Sequence, residues 1–179
     1  MSIPSSLLAS ESITFEEAIE LTQSLLSLIE SDRLLEAEIE QAVKSLVKSQ
    51  NGARGFFVTY LTEEGQVADR PSPGVIEALR SAPEIVAELL VKNLAMSAAM
   101  VVHHSRQQKK EMADNSAKVQ ERSHNLIQIL QLPACKTVAS QMLASLQSGS
   151  GEYEDFFVRW GYDGEQKRAI GSAVRGAIG

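Results

Sequence analysis

The sequence predicts an all-α protein. Three observations carry that reading. Apolar residues recur at helical spacing in segment after segment, capping residues and prolines stand in front of those segments, and the one run with strand propensity has no clear partner strand. With 179 residues, 44% of them hydrophobic and 22% charged, the chain has the size and composition of one globular domain, and its apolar content excludes wholesale disorder. The expected architecture is a single-domain bundle of seven to nine helices around a central apolar helix.

Residues 2–12 are serine-rich around Pro4, which predicts a disordered tail over 1–12 and a helical domain over 13–179. Thr14 and Glu17 form a T-x-x-E capping box, in which hydroxyl and carboxylate each satisfy a free backbone N–H. They open a first helix with Phe15, Ala18, Ile19, Thr22, Leu25, Leu26 and Ile29 on its inward face. A second helix is expected over 32–49, ended by Asn51-Gly52, both of which tolerate positive φ. Residues 55–61 have β-propensity, yet an isolated strand leaves its backbone unpaired, so the segment reads as helix.

After a loop over 62–71, prolines at 73, 83 and 133 open helices, because a missing N–H costs nothing at the first helical position. Residues 84–132 contain neither Gly nor Pro. They read as one long helix or as two, with the break at 113–116, where short polar residues favour a cap. The first part, 85–102, is apolar nearly all round and is the expected buried centre. Cys135, Val138, Ala139, Met142, Leu143 and Leu146 face inward on the next helix, and Gly149-Ser150-Gly151 is a hinge. Tyr153, Phe156, Phe157 and Trp160 form an i, i+3, i+4, i+7 stripe, Gly161 ends that helix, and Asp163 caps the last one.

Phe56-Phe57-Val58 and Phe156-Phe157-Val158 stand 100 residues apart, and Gln41, Ser45 and Leu46 match Gln141, Ser145 and Leu146 at the same offset. Ungapped, 34–66 and 134–166 agree at seven of 33 positions, so few that the matching order of elements has to carry the argument. Two accounts stand: a duplicated unit over about 14–66 and 114–166, or accidental alignment of helices of similar length. The aromatic residues concentrate in these two segments, where they either face a ligand or anchor a core; a helical aromatic stripe is ordinarily core.

Charge is uneven. Residues 1–90 carry 15 acids and 6 bases, a net of −9; residues 91–179 carry 8 acids and 11 bases, a net of +3. The acidic front half disfavours nucleic acid as a partner, and the two halves should attract each other within or between chains. No basic residue precedes Arg33, so the pattern of a secretory signal is missing. The longest uncharged stretch of the apolar segment, 93–102, is far short of the roughly 20 residues that span a bilayer. The reading is a soluble cytoplasmic protein. Its single cysteine excludes an internal disulfide and a multi-thiolate metal site within the chain.

Phosphate-loop, dinucleotide, zinc-protease and nucleophile-elbow motifs are all missing. The E-x-x-H of Glu121 and His124 puts a carboxylate and an imidazole one turn apart, but a di-iron bundle needs a second such pair, and the residues at that distance before His103 and His104 are Met100 and Val101. The pair is a weak metal candidate beside the plainer reading of a surface Glu–His contact. Met96, Met100 and His104 read as core rather than haem ligation. The basic group Arg106, Lys109, Lys110, Lys118 and Arg122 lacks interleaved aromatics; with the acidic Glu16, Glu17 and Glu20 of the first helix it forms the candidate interaction residues, which could meet across a two-fold dimer.

Residues 51–61 (Asn-Gly-Ala-Arg-Gly-Phe-Phe-Val-Thr-Tyr-Leu) and 88–96 (Glu-Leu-Leu-Val-Lys-Asn-Leu-Ala-Met) resemble a family of uncharacterised conserved proteins from cyanobacteria. The resemblance implies a cytoplasmic protein of a photosynthetic bacterium and transfers no activity, cofactor or site residue. The length is also similar to that of phycobiliprotein subunits, but Cys135 lacks a bilin-attachment context. The leading functional reading is a non-enzymatic interaction or assembly protein, with no cofactor and with a protein partner or a second copy. A binder of an apolar or tetrapyrrole-like ligand between the aromatic helices is the alternative, and a metal-dependent enzyme using Glu121 and His124 the weaker one.

Overall fold

The computed structural model describes residues 3–179; residues 1 and 2 of the expected tail lie outside the described residues. Among the described residues there are nine α-helices, one short 3-10 turn and no strand. The chain clusters into two compact units, the first ending at Leu89 and the second running Leu90–Gly179, so the boundary falls inside one continuous helix.

The first unit holds α1 (Phe15–Glu30), α2 (Glu36–Val47), α3 (Gln50–Thr62), α4 (Pro73–Arg80) and the start of α5 (Pro83–Arg106). The Thr14 capping box forms as expected, Glu17 N–H donating to the Thr14 hydroxyl at 3.1 Å and Thr14 N–H to the Glu17 carboxylate at 2.8 Å. α1 packs on α3, and α2 on α3 and α4. Residues 55–61 are helical, within α3. Phe56, Phe57 and Tyr60 are buried, Phe56 stacked on Tyr60 and edge-on to Phe57, so these rings anchor the core of this unit. α1 and α3 lie close at Gly55, where a Cβ would run into that of Ala18 and stand 2.9 Å from the Phe15 carbonyl oxygen.

Three expectations are corrected here. The stretch 3–12 is not a disordered tail: Ile3 and Leu7 are buried, Ser5–Leu7 form the 3-10 turn, and Ala9 N–H donates to the Ser45 hydroxyl at 2.9 Å. Two apolar side chains with somewhere to go outweigh the serine-rich composition. The second helix starts at Glu36 rather than residue 32, because Asp32 takes φ 53°. Asn51-Gly52 do not stop a helix but belong to the first turn of α3, whose N-cap Ser49 accepts from Gly52 N–H at 3.1 Å.

The second unit holds the rest of α5 with α6 (Lys110–Leu130), α7 (Pro133–Ser148), α8 (Glu154–Trp160) and α9 (Gly164–Ile178). α9 packs on α6 and α7. The α5–α6 break comes at 107–109 rather than 113–116, with Gln108 at φ 57°; residues 113–116 continue the helix. Gly149 and Gly161 end α7 and α8 in the left-handed conformation, as expected of glycine at those points. The aromatic stripe is corrected at its end. Tyr153 and Phe157 are buried, but Trp160 is 50% exposed, because the chain turns at Gly161 and Tyr162 comes back to pack edge-on against Phe156 at 6.1 Å. Along α5, Val86, Leu90, Val91, Leu94 and Ala98 are buried. By length and composition α5 could cross a membrane, and half of its most apolar stretch is buried inside the protein.

Gly55→Ala is expected to destabilise the fold by about 1–3 kcal/mol through overpacking. Gly176→Ala, in α9 with nothing within 4 Å of the added methyl, is expected to gain up to about 1 kcal/mol from helix propensity. Urea unfolding followed by helix ellipticity measures both.

Candidate functional site

α9 is fixed at its first turn. Asp163 at the N-cap accepts from Gln166 N–H at 3.0 Å, and the Gln166 carboxamide oxygen accepts from Asp163 N–H at 3.1 Å. The Gln166 amide donates to the Ala99 carbonyl of α5 at 3.3 Å. Arg106, at the end of α5, donates to the Asp163 carboxylate at 2.5 Å and also pairs with Glu165. The Arg106 guanidinium and the backbone N–H of Gln166 hold the Asp163 carboxyl well below the usual carboxylate range. Ile170, Val174 and Ala177, at i, i+4 and i+7, then bury the inner face of the helix.

With α9 so placed, Lys167, Gly171 and Arg175 form an i, i+4, i+8 stripe on another face, with Arg168 beside it. This stripe and Leu143, Leu146 and Gln147 of α7 line a groove of about 590 Å³. The two leucines are half-buried, and the three cations are exposed. The Arg175 guanidinium lies over Gly171, its Nη1 3.2 Å from where a Cβ would stand. None of Lys167, Arg168 and Arg175 has an ion pair among the described residues. The groove thus has an apolar floor and an unneutralised basic rim.

On another side of α9, Glu121 and His124 share a recess of about 320 Å³ with Gln120, Leu94 and Ala173. The structure therefore brings the sequence-predicted pair together. No group of three or more His, Cys, Asp or Glu that could hold a metal occurs among the described residues. Two donors make a poor metal site.

The predicted basic interaction group is dispersed. Arg106 is committed to Asp163 and Glu165, and Lys110 pairs with Asp114 at 3.0 Å. Lys109 is exposed, and Lys118 is half-buried and engaged. Arg122 is 1% exposed, so it is no surface residue. It sits on the inward face of α6 with Ser123, Leu126 and Ile127, which its i, i+4 spacing to Leu126 could have revealed. Glu16 and Glu20 are exposed on α1 in the first unit, and Glu17 caps its own helix. The groove cations escaped notice because they stand apart in the sequence and become neighbours only through the helical turn.

Cys135 is buried, and burial pushes its thiol up to about 11. His104 is 7% exposed, and its Nδ1 has no hydrogen-bond partner among the described residues.

The family described as uncharacterised conserved protein UCP020893 matches residues 14–177. The chain belongs to that family. The match runs from the N-cap of α1 to the last turn of α9 and so takes in the groove and the recess. No curated protein and no solved structure matches the chain.

Two pH effects follow. The Asp163 carboxyl is depressed in the folded state, so its contribution is present above the unfolded value near ~4 and is lost as pH falls toward the folded value. Asp163→Asn keeps a capping acceptor and removes the charge. Melting temperatures are expected to differ between wild type and variant at pH 7, and the gap to shrink as pH drops from about 4 to 2. Cys135 has the opposite sign: the folded thiol keeps its proton through the range, from about 9 to about 11, in which the unfolded one loses it, so stability falls as pH rises there. Native protein should react slowly with a thiol-specific disulfide reagent at pH 8, and denaturant should make the reaction fast.

Proposed function

We propose that this protein is a non-enzymatic interaction protein that docks a partner of acidic, partly apolar surface in the groove between α7 and α9. The observation that supports this reading is the groove's composition: an apolar floor of Leu143 and Leu146 under Lys167, Arg168 and Arg175, none of which has an ion pair within the described residues. A small-molecule site ordinarily encloses most of its ligand. Here the rim side chains are exposed and the floor only half-buried, which suits a macromolecular surface laid along the groove. Apolar contact would provide affinity, and the cations would steer and orient the partner. The charge and hydropathy pattern together with the family resemblance support a place in the cytoplasm of a cyanobacterium.

The test compares proteins recovered from an extract of the source organism by wild-type bait, by a Lys167→Glu, Arg168→Glu, Arg175→Glu bait, and by a Glu121→Ala, His124→Ala bait. Recovery of a specific partner should fall at least about tenfold with the first variant and persist with the second. A partner retained by the charge-reversed bait, or lost only with the recess variant, would reject the groove.

A further inference from the structure

We infer that the occupant of this groove is a second copy of the chain, entering with the exposed Leu35 at the start of α2. This rests on the docking role proposed above and names its partner.

Leu35 breaks a local rule. It is the N-cap residue of α2, where Ser, Thr, Asp or Asn would accept a hydrogen bond from the helix and leucine cannot. Glu38 still accepts from Leu35 N–H at 2.8 Å, so half of a capping box is in place and the residue that would complete it is apolar. The side chain is 63% exposed, left largely uncovered by the described residues. A departure from local preference with no local gain is expected where a residue serves something other than its own fold.

The surroundings of Leu35 mirror those of the groove. Asp32, Glu36 and Glu38 flank it along the chain with Arg33 as the one base, which leaves the segment net acidic, and among the described residues none of the three acids pairs with a basic side chain. Glu36 accepts from Gly74 N–H at 2.6 Å and Glu38 from Leu35 N–H, bonds that fix both carboxylates without neutralising them. An apolar knob in an acidic setting thus matches an apolar floor in a basic one. Each chain carries one of each, so a two-fold pair can make the contact twice, or the contact can propagate head to tail. Opposite charge at the rim would make association fall with salt.

The experiment places a photoreactive benzoylphenylalanine at Gln147, an exposed residue on the groove. Purified full-length protein is irradiated at micromolar concentration and the adduct mapped by mass spectrometry. The expected result is a covalent species of twice the 19.5 kDa chain mass, joined within residues 31–38. Leu35→Ser should abolish it. That variant supplies a better N-cap, so it should fold with an unchanged or raised melting temperature. Its association, measured by light scattering, should weaken roughly tenfold or more. An adduct mapping elsewhere in the second copy, or association unaffected by Leu35→Ser, would overturn the inference. An adduct formed only with another protein in an extract of the source organism would overturn it while leaving the docking reading standing. No adduct with anything would overturn both.

Discussion

The arrangement of the second unit depends on the first turn of α9, and chiefly on Asp163. One carboxylate caps the helix, receives Arg106 from the end of α5 and, through the capping box, sets Gln166, whose side chain reaches the α5 backbone at Ala99. Surface ion pairs are ordinarily weak. This one gains from being a two-carboxylate fork on a guanidinium and from acting where a helix N-terminus already favours negative charge. It adds to the burial of Ile170, Val174 and Ala177, the apolar face that sets the rotation of α9 about its axis. That rotation leaves Lys167 and Arg175 to look over α7.

The first unit is positioned by close approach. Gly55 lets α3 come within contact of the α1 backbone, and Gly74 does the same for α4 against the backbone of Glu36. Neither glycine serves a turn, since both lie inside helices and both are buried. Each costs helix propensity of about 1 kcal/mol, and the helix–helix contact it permits offsets that cost by burying neighbours such as Phe56 and Val75. The same unit holds the N-terminal segment through Ile3 and Leu7, which composition alone assigned to disorder.

Much of the fold was legible because helix starts are local. Thr14 with Glu17, Pro73, Pro133 and Asp163 each announce a helix locally, and all four helices begin there. What failed needed tertiary information. Gln108 takes the left-handed turn between α5 and α6, though nothing in its identity asks for it, while the cap-like run at 113–116 stays helical. Asn51-Gly52 read as a stop, and only the Ser49 cap turns them into a start. Trp160 fits the stripe by spacing, yet Tyr162 takes the place against Phe156 once Gly161 turns the chain. For the candidate site, the E-x-x-H pair was visible and does line a recess. The groove was not visible, since its lining comes from two helices and its cations are noticed only when their lack of partners is known.

The distribution of partners says more about the groove than the count of charges does. The second half of the chain has only a small excess of bases, 11 against 8 acids. Asp163 and Glu165 are both taken by one arginine, and Asp114 by Lys110. Lys167 and Arg175 stand along one stripe of α9, with Arg168 beside it, over two leucines. Buried, such a cluster would be intolerable without counter-charge. Exposed, it costs the fold little in water. The same logic fits Leu35, whose exposed side chain forgoes a helix cap in a chain that places caps correctly at Thr14, Ser49, Ser72 and Asp163. Two departures of complementary character, one apolar and acid-flanked and one apolar and base-rimmed, are more economically explained by each other than by separate accidents.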